Sequence, residues 1–170
     1  MNSMLNKTQI LNHQQIEQKI TRIAFQIYED NYTEKKLIIA GIANNGFIFA
    51  KLLANQLKTI SNIEIVLEEL HIDKKNPISN QTKLDLEAKD FKDQVIIVVD
   101  DVLNSGKTMM YGIKHFLIAP VKKLSTAVLV NRSYKRFPVH ADYLGMNLAT
   151  TMKERIEVTF EKENYSAFLI

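Results

Sequence analysis

The chain contains no cysteine. Thiol catalysis, disulfide bonds and cysteine-ligated zinc are therefore excluded. Glycine and proline are scarce, five and three residues in 170, and nowhere do they gather with serine into a linker. No apolar run is long enough to span a bilayer, so no membrane association is expected. The N-terminus lacks the basic-then-apolar order of a secretory signal, which makes the cytoplasm the expected compartment. Charge of one sign is barely in excess. A net charge of +3 suits a phosphorylated ligand or RNA but is too mild to argue for nucleic acid alone.

What is present suffices for one domain over residues 1–170: hydrophobic residues are 46% and charged residues 24%, with no repeat and no low-complexity segment. Asn12 with Gln15 three residues later marks a helix start. Ile16, Ile20, Ala24 and Ile27 then keep helical spacing to about Asp30. "KLIIAGI" (Lys36 to Ile42) is a continuous apolar run of the kind a buried parallel strand shows. Asn44-Asn45-Gly46 breaks it, and "FIFAKLLANQL" reads as the next helix. "IEIVLEEL" (Ile63 to Leu70) alternates like a strand, and after a polar stretch "TKLDLEA" (Thr82 to Ala88) alternates like an exposed edge strand.

"VIIVVDD" is the next predicted strand, ending at Asp100-Asp101, with a helix over Lys107 to Ile118 behind its turn. "LSTAVLV" (Leu124 to Val130) is another buried strand, followed by strand-like pieces at "ADYLGMN", "RIEVTF" and "YSAFLI". Alternating strand and helix predicts an α/β fold, an open and mostly parallel sheet flanked by helices. Such sheets take ligands outside the carboxyl ends of their strands. Three loops share that edge: Ala43–Gly46, Asp100–Thr108 and Asn131–Phe137.

"GKT" at Gly106-Lys107-Thr108 is the tail of a Walker A loop, so that reading is tested first. The motif needs a glycine five residues before Gly106, to wrap backbone N–H groups around phosphates. Asp101 stands there, bringing a Cβ and a negative charge where the loop must close on a polyanion. The Walker reading fails. The alternative uses the acids. Neighbouring side chains on an extended strand point opposite ways, so Asp100 and Asp101 take different tasks. Asn104, Ser105, Gly106, Lys107 and Thr108 follow with small residues, hydroxyls and a helix start, a ready site for one phosphate. Two carboxylates a sugar's length from a monophosphate predict a ribose 5-phosphate site.

"VIIVVDDVLNSGKT" resembles the phosphoribosyl pyrophosphate (PRPP) signature of type I phosphoribosyltransferases. "IEQKITRIAFQIYEDN", "IAGIANNGFIFAKLLANQL" and "AVLVNRSYKRFPVHADYLGMNLATTMKERIEVTF" resemble, in order and spacing, the PyrR branch. Members of that branch are pyrimidine-operon attenuation proteins that also act as uracil phosphoribosyltransferases. The likeness covers most of the chain and leaves out about His71 to Ala88. It implies a small hood region beside the sheet and a homo-oligomer, a dimer or higher. It also implies an enzyme that joins a free base to PRPP and releases pyrophosphate. Asp100 and Asp101 would bind the ribose hydroxyls, the loop from Asn104 to Thr108 the 5-phosphate, and the backbone of Ala43, Asn44, Asn45 and Gly46 the pyrophosphate. Mg²⁺, the implied cofactor, would be held mainly by PRPP's own oxygens, with Asp100 and Asp101 acting on it indirectly.

Several positions depart from the pattern. The first loop usually carries a basic residue where this chain has Asn44-Asn45. The flexible loop's Tyr-Arg-Asp-Asp aligns with His71-Ile72-Asp73-Lys74, leaving Lys74 or Lys75 to supply a point charge there, Lys74 being the candidate catalytic cation. The family's Asp-Arg-Gly-His-Arg becomes Asn131-Arg132-Ser133-Tyr134-Lys135. Asn131, Arg132 and Tyr134 are the candidate base-side residues. Uracil is then the first candidate base, and the Asn131 amide makes a 6-oxopurine the second. At the family's RNA surface this chain has Phe25, Tyr134, His140 and Met146, with Lys135 and Arg132 the main remaining cations, so RNA is not an expected partner. A catalytically weak phosphoribosyl-binding regulator is the competing expectation. A phosphoacceptor receiver domain ranks behind both, since it needs a lone acceptor aspartate on another strand and no phosphate loop.

Overall fold

The computed structural model describes residues 7–73, 85–162 and 164–170. Its elements run β1 (Thr8–Leu11), α1 (His13–Asn31), β2 (Lys36–Ile42), α2 (Asn45–Ile60), β3 (Glu64–Leu70) and α3 (Ala88–Phe91). They continue with β4 (Val95–Leu103), α4 (Lys107–Phe116), β5 (Lys123–Arg132), β6 (Tyr143–Leu148), β7 (Ile156–Glu161) and β8 (Asn164–Leu169). Five strands form a parallel sheet in the order β3-β2-β4-β5-β6, and three form an antiparallel sheet in the order β1-β8-β7.

The parallel strands are apolar on both faces because both faces are covered. Along β2, Leu37 and Ile39 join the core packed by α1 and α2, while Ile38, Ala40 and Ile42 join the one packed by α4. β4 alternates in the same way, with Val95, Ile97 and Val99 on one side and Ile96 and Val98 on the other. The start of α1 is fixed by a reciprocal capping box. Asn12 Oδ1 accepts from the Gln15 N–H and Gln15 Oε1 accepts from the Asn12 N–H, both at 2.9 Å.

Two expectations need correction. β4 does not end at the acid pair but runs on to Leu103, because β5 is long enough to keep pairing it: Val102 lies opposite Val130 and Leu103 opposite Asn131. Ala88 opens a short helix rather than closing an edge strand, since Asp90 Oδ2 accepts from the Glu87 N–H and makes a helix start there. Thr82 to Leu84 lie outside the described residues. The last two strand-like pieces, β7 and β8, pair antiparallel in the small sheet beside the parallel one, with β1, four residues that carry no periodicity to read, as their third member.

Candidate active site

The crevice follows from the winding. β2 leads through α2 to β3 at one edge of the sheet, and β4 leads through α4 to β5 on the other side, with the two helices on opposite faces. The loops after β2 and β4 therefore part at their carboxyl ends, where doubly wound sheets take ligands. They come together at Gly46. A Cβ built there would lie 2.7 Å from Asp100 Oδ1, 3.0 Å from Asp100 Cα and 3.1 Å from the Val99 oxygen. No residue but glycine leaves the carboxylate that room.

The first loop is held from several sides. Ala43 N–H donates to the Leu70 oxygen at 3.1 Å, and the Ala43–Asn44 peptide is cis. The Asn44 oxygen accepts from the Phe47 and Ile48 N–H groups at the start of α2. Asn45 Nδ2 donates to the Val158 oxygen at 2.8 Å, which pins this loop to β7 of the small sheet.

The two aspartates occupy unlike surroundings, as their alternation predicts. Asp100 is 5% exposed and its Oδ1 accepts from the Asp101 N–H at 2.9 Å. Asp101 is half-buried. Five residues on, Gly106 holds φ +87° as the residue before α4, and a Cβ there would meet Val139 Cγ1 at 2.5 Å. The Ser105 oxygen accepts from the Arg136 and Phe137 N–H groups at 2.9 and 3.0 Å, and its Oγ accepts from Lys107 N–H at 3.4 Å. No acid stands in the first turn of α4 to compete for its N–H groups. A cavity of about 220 Å³ is lined by Asp100 to Met109 and by Ile156 of β7. It is smaller than the roughly 300–1,000 Å³ of drug-sized pockets.

The third loop begins where β5 ends, one strand over. Asn131 lies opposite Leu103 on β4 and Asn147 on β6. Its Nδ2 donates to Asn147 Oδ1 at 2.6 Å and its Oδ1 accepts from Lys135 Nζ at 2.7 Å. The same ammonium donates to the oxygens of Leu103 (3.2 Å), Asn104 (3.1 Å) and Arg132. Burial, with the Arg132 charge as the smaller cause, holds the Lys135 pKa below its ordinary value. Arg132 is buried, its guanidinium donating to Thr150 Oγ1 and, at 2.6 Å, to the Thr151 oxygen. Tyr134 sits between Arg132 and Arg136, whose guanidinium carbons lie 5.2 and 5.6 Å from its ring centre.

The structure thus brings Asp100, Asp101, Asn104 to Thr108 and Gly46 to one crevice and sets Asn131 beside it, while Arg132 is committed to the loop before β7. Lys74 and Lys75 lie outside the described residues. Sequence reasoning missed Ile156, which only the folded chain carries to the cavity, and gave Asn147 no part. It counted Lys135 as a surface cation. Among the described residues no three His, Asp or Glu side chains converge on a metal ion, and no described helix is long and apolar enough to cross a membrane.

The phosphoribosyl transferase domain family matches residues 6–162. The chain is 32% identical over 159 residues to the bifunctional protein PyrR of Pediococcus pentosaceus, covering 88% of this chain and 90% of that one. It is likewise 32% identical over 168 residues to the bifunctional protein PyrR of Bacillus subtilis, covering 94% and 93%. Among solved structures it is similar in fold to the hypoxanthine phosphoribosyltransferase of Trypanosoma cruzi, with a TM-score of 0.74 at 17% identity over 94% of this chain and 95% of that one. A hypoxanthine-guanine phosphoribosyltransferase from Bacillus anthracis gives a TM-score of 0.71 at 20% identity, over 89% and 87%. The chain belongs to the phosphoribosyltransferase family, as a PyrR-like type I member.

Proposed function

We propose that the protein transfers the phosphoribosyl group of PRPP to a free nucleobase, uracil first and a 6-oxopurine second, releasing pyrophosphate. The observation that carries this reading is the joining of an acid pair and a helix-start loop on one small cavity, with Gly46 packed against the Asp100 carboxylate. In it the Ser105–Thr108 backbone binds the 5-phosphate, Asp101 takes the ribose hydroxyls, and Asp100, packed under Gly46, positions its neighbour. The backbone of residues 43–46 faces the pyrophosphate. Two adjacent carboxylates, with no third His, Asp or Glu converging on them among the described residues, suit Mg²⁺, an ion that keeps water and substrate oxygens about it. When bound through PRPP, the ion would offset the charge of the departing pyrophosphate. Fixed carboxylates beside the ribose favour the positive charge that develops there. By family analogy the enzyme works in the cytoplasm as a homo-oligomer.

The test is pyrophosphate release from PRPP and Mg²⁺ with uracil, hypoxanthine or guanine, compared as kcat/KM. Uracil is expected to lead. Asn131→Asp should sharpen its lead by roughly tenfold, since a pocket group matched to one base rejects another whose partners go unpaired. A purine preference that Asn131→Asp leaves alone would reverse the order of candidates.

A regulator that keeps the phosphoribosyl site but turns over weakly is the second reading. Asn44 and Asn45 favour it, since they supply no positive charge to pyrophosphate. Activity on no base alongside intact PRPP binding would select it. Regulation through RNA is not part of that reading. The two main cations at the corresponding surface are engaged internally, Lys135 by four oxygens and Arg132 by the Thr150–Thr151 segment. A gel shift with structured pyrimidine-leader RNA at physiological salt should show no selective binding below about 1 μM, against specific nucleic-acid affinities usually below about 10⁻⁸ M. Submicromolar, sequence-selective retention would overturn this.

A further inference from the structure

We propose that Lys135 is a positioning residue that locks the Asn131 amide in one orientation and so makes the pocket choose oxo bases over amino bases. The inference rests on the functional reading above, in which Asn131 lies on the base side of the site. The geometry is specific about which way the amide points. An ammonium has three donors and no acceptor, so only the oxygen of Asn131 can face Lys135 Nζ, here at 2.7 Å. The amide nitrogen then donates to Asn147 Oδ1 at 2.6 Å. Turning the amide over would set its NH₂ against the ammonium, which has no acceptor. Asn147, an amide that can itself turn, would not prevent this, so the orientation rests on Lys135.

A free asparagine amide reads either order of donor and acceptor by flipping. A locked one offers a single order through its remaining hydrogen and lone pair. That difference matters for bases in pairs. Uracil and hypoxanthine present an oxygen acceptor where cytosine and adenine present an exocyclic amino donor, on rings of otherwise similar shape. A pocket whose amide cannot flip leaves one member of each pair with unpaired groups, and buried unpaired groups are what make such rejection strong.

The lysine is itself fixed. Beyond Asn131 its hydrogens are shared among the oxygens of Leu103, Asn104 and Arg132, so that it bridges the end of β4 to the end of β5. The phosphate loop has its own anchor, the Ser105 oxygen held by the Arg136 and Phe137 N–H groups. Loss of the ammonium should therefore fall on base choice more than on phosphate binding.

The experiment is calorimetry of UMP, CMP, IMP, AMP and ribose 5-phosphate on the wild type, Lys135→Met, Asn131→Ala and the double variant. The wild type should prefer the oxo member of each pair by about tenfold or more. Lys135→Met should bring each ratio below about threefold while ribose 5-phosphate, the internal control for a folded site, changes by no more than about threefold. In the Asn131→Ala background Lys135→Met should leave the ratios where they are, since coupled residues are non-additive. Ratios untouched by Lys135→Met, or lowered equally in both backgrounds, would overturn the lock. So would an equal loss for ribose 5-phosphate and the nucleotides, which marks a merely structural lysine. A wild type that binds ribose 5-phosphate but gains nothing from any base would overturn the lock and the base pocket, leaving the phosphoribosyl site standing. A wild type that binds none of these would overturn the proposed function as well.

Discussion

Asp101→Asn should weaken PRPP binding by about 30-fold and inorganic phosphate binding by less than about threefold. The substitution keeps the shape of the side chain and removes its charge. Hydrogen bonds to charged groups are worth about 1.5–3 kcal/mol, and about 2 kcal/mol corresponds to a factor of roughly 30. Asp101 is half-buried at the cavity, where a sugar hydroxyl can still reach it, whereas Asp100 already has its Oδ1 engaged with the Asp101 N–H. In the proposed site, inorganic phosphate would need only the N–H groups at the start of α4, which this change leaves alone. Removing a nearby negative charge works slightly in favour of the anion, so the two ligands separate in a known direction. Calorimetry with each ligand decides the matter. Equal losses, or no PRPP binding by the wild type, would end the ribose-site reading.

The second large effect is expected at Gly46. Alanine is the better helix former, by about 0.5–1 kcal/mol in a helix interior, so local propensity at this second residue of α2 argues for a gain. Packing argues the other way. The new methyl would sit 2.7 Å from Asp100 Oδ1 and about as close as contact permits to the Asp100 Cα and the Val99 oxygen. The carboxylate can swing aside, but backbone of the central strand cannot. Overpacking of this kind typically costs about 1–3 kcal/mol, so stability should fall modestly. Activity should fall far more, by about 100-fold or greater in kcat/KM, because small displacements of positioned groups have effects of that order. Thermal melting separates the two contributions. A Gly46→Ala variant within about tenfold of the wild type in turnover would show that the loops need not touch for the reaction.

Much of the parallel sheet was legible because its strands are apolar on both faces, and Leu37 to Ile42 or Val95 to Val99 admit few other readings. The helix start at Asn12 was legible through a reciprocal side-chain bond that the sequence spells out. The acid pair and Gly106 were legible together, since a carboxylate pair followed by a helix-start loop is a chemical pattern as well as a structural one. The end of β4 was not, because nothing in Val102-Leu103 itself says that β5 will go on pairing it. Asn45 offered no hint that its amide would reach Val158, far along the chain. Lys135 was visible only as a charge. Its role depends on four oxygens from two strand ends, and such convergence has no signature in one dimension.

The small sheet also has a consequence for how the chain reaches its final form. β8 is its middle strand, and β1 and β7 each pair with β8 and not with one another. Thr8 lies opposite Leu169, so this pairing closes a loop of nearly the whole chain, whereas the parallel sheet is complete by Leu148. Contacts so distant in sequence form late, because their closure entropy must be met before they contribute. During synthesis β1 waits without a backbone partner until Asn164 to Leu169 has emerged. The wall that Ile156 adds to the cavity, and the tie from Asn45 to Val158, are accordingly the last parts of the site to be assembled.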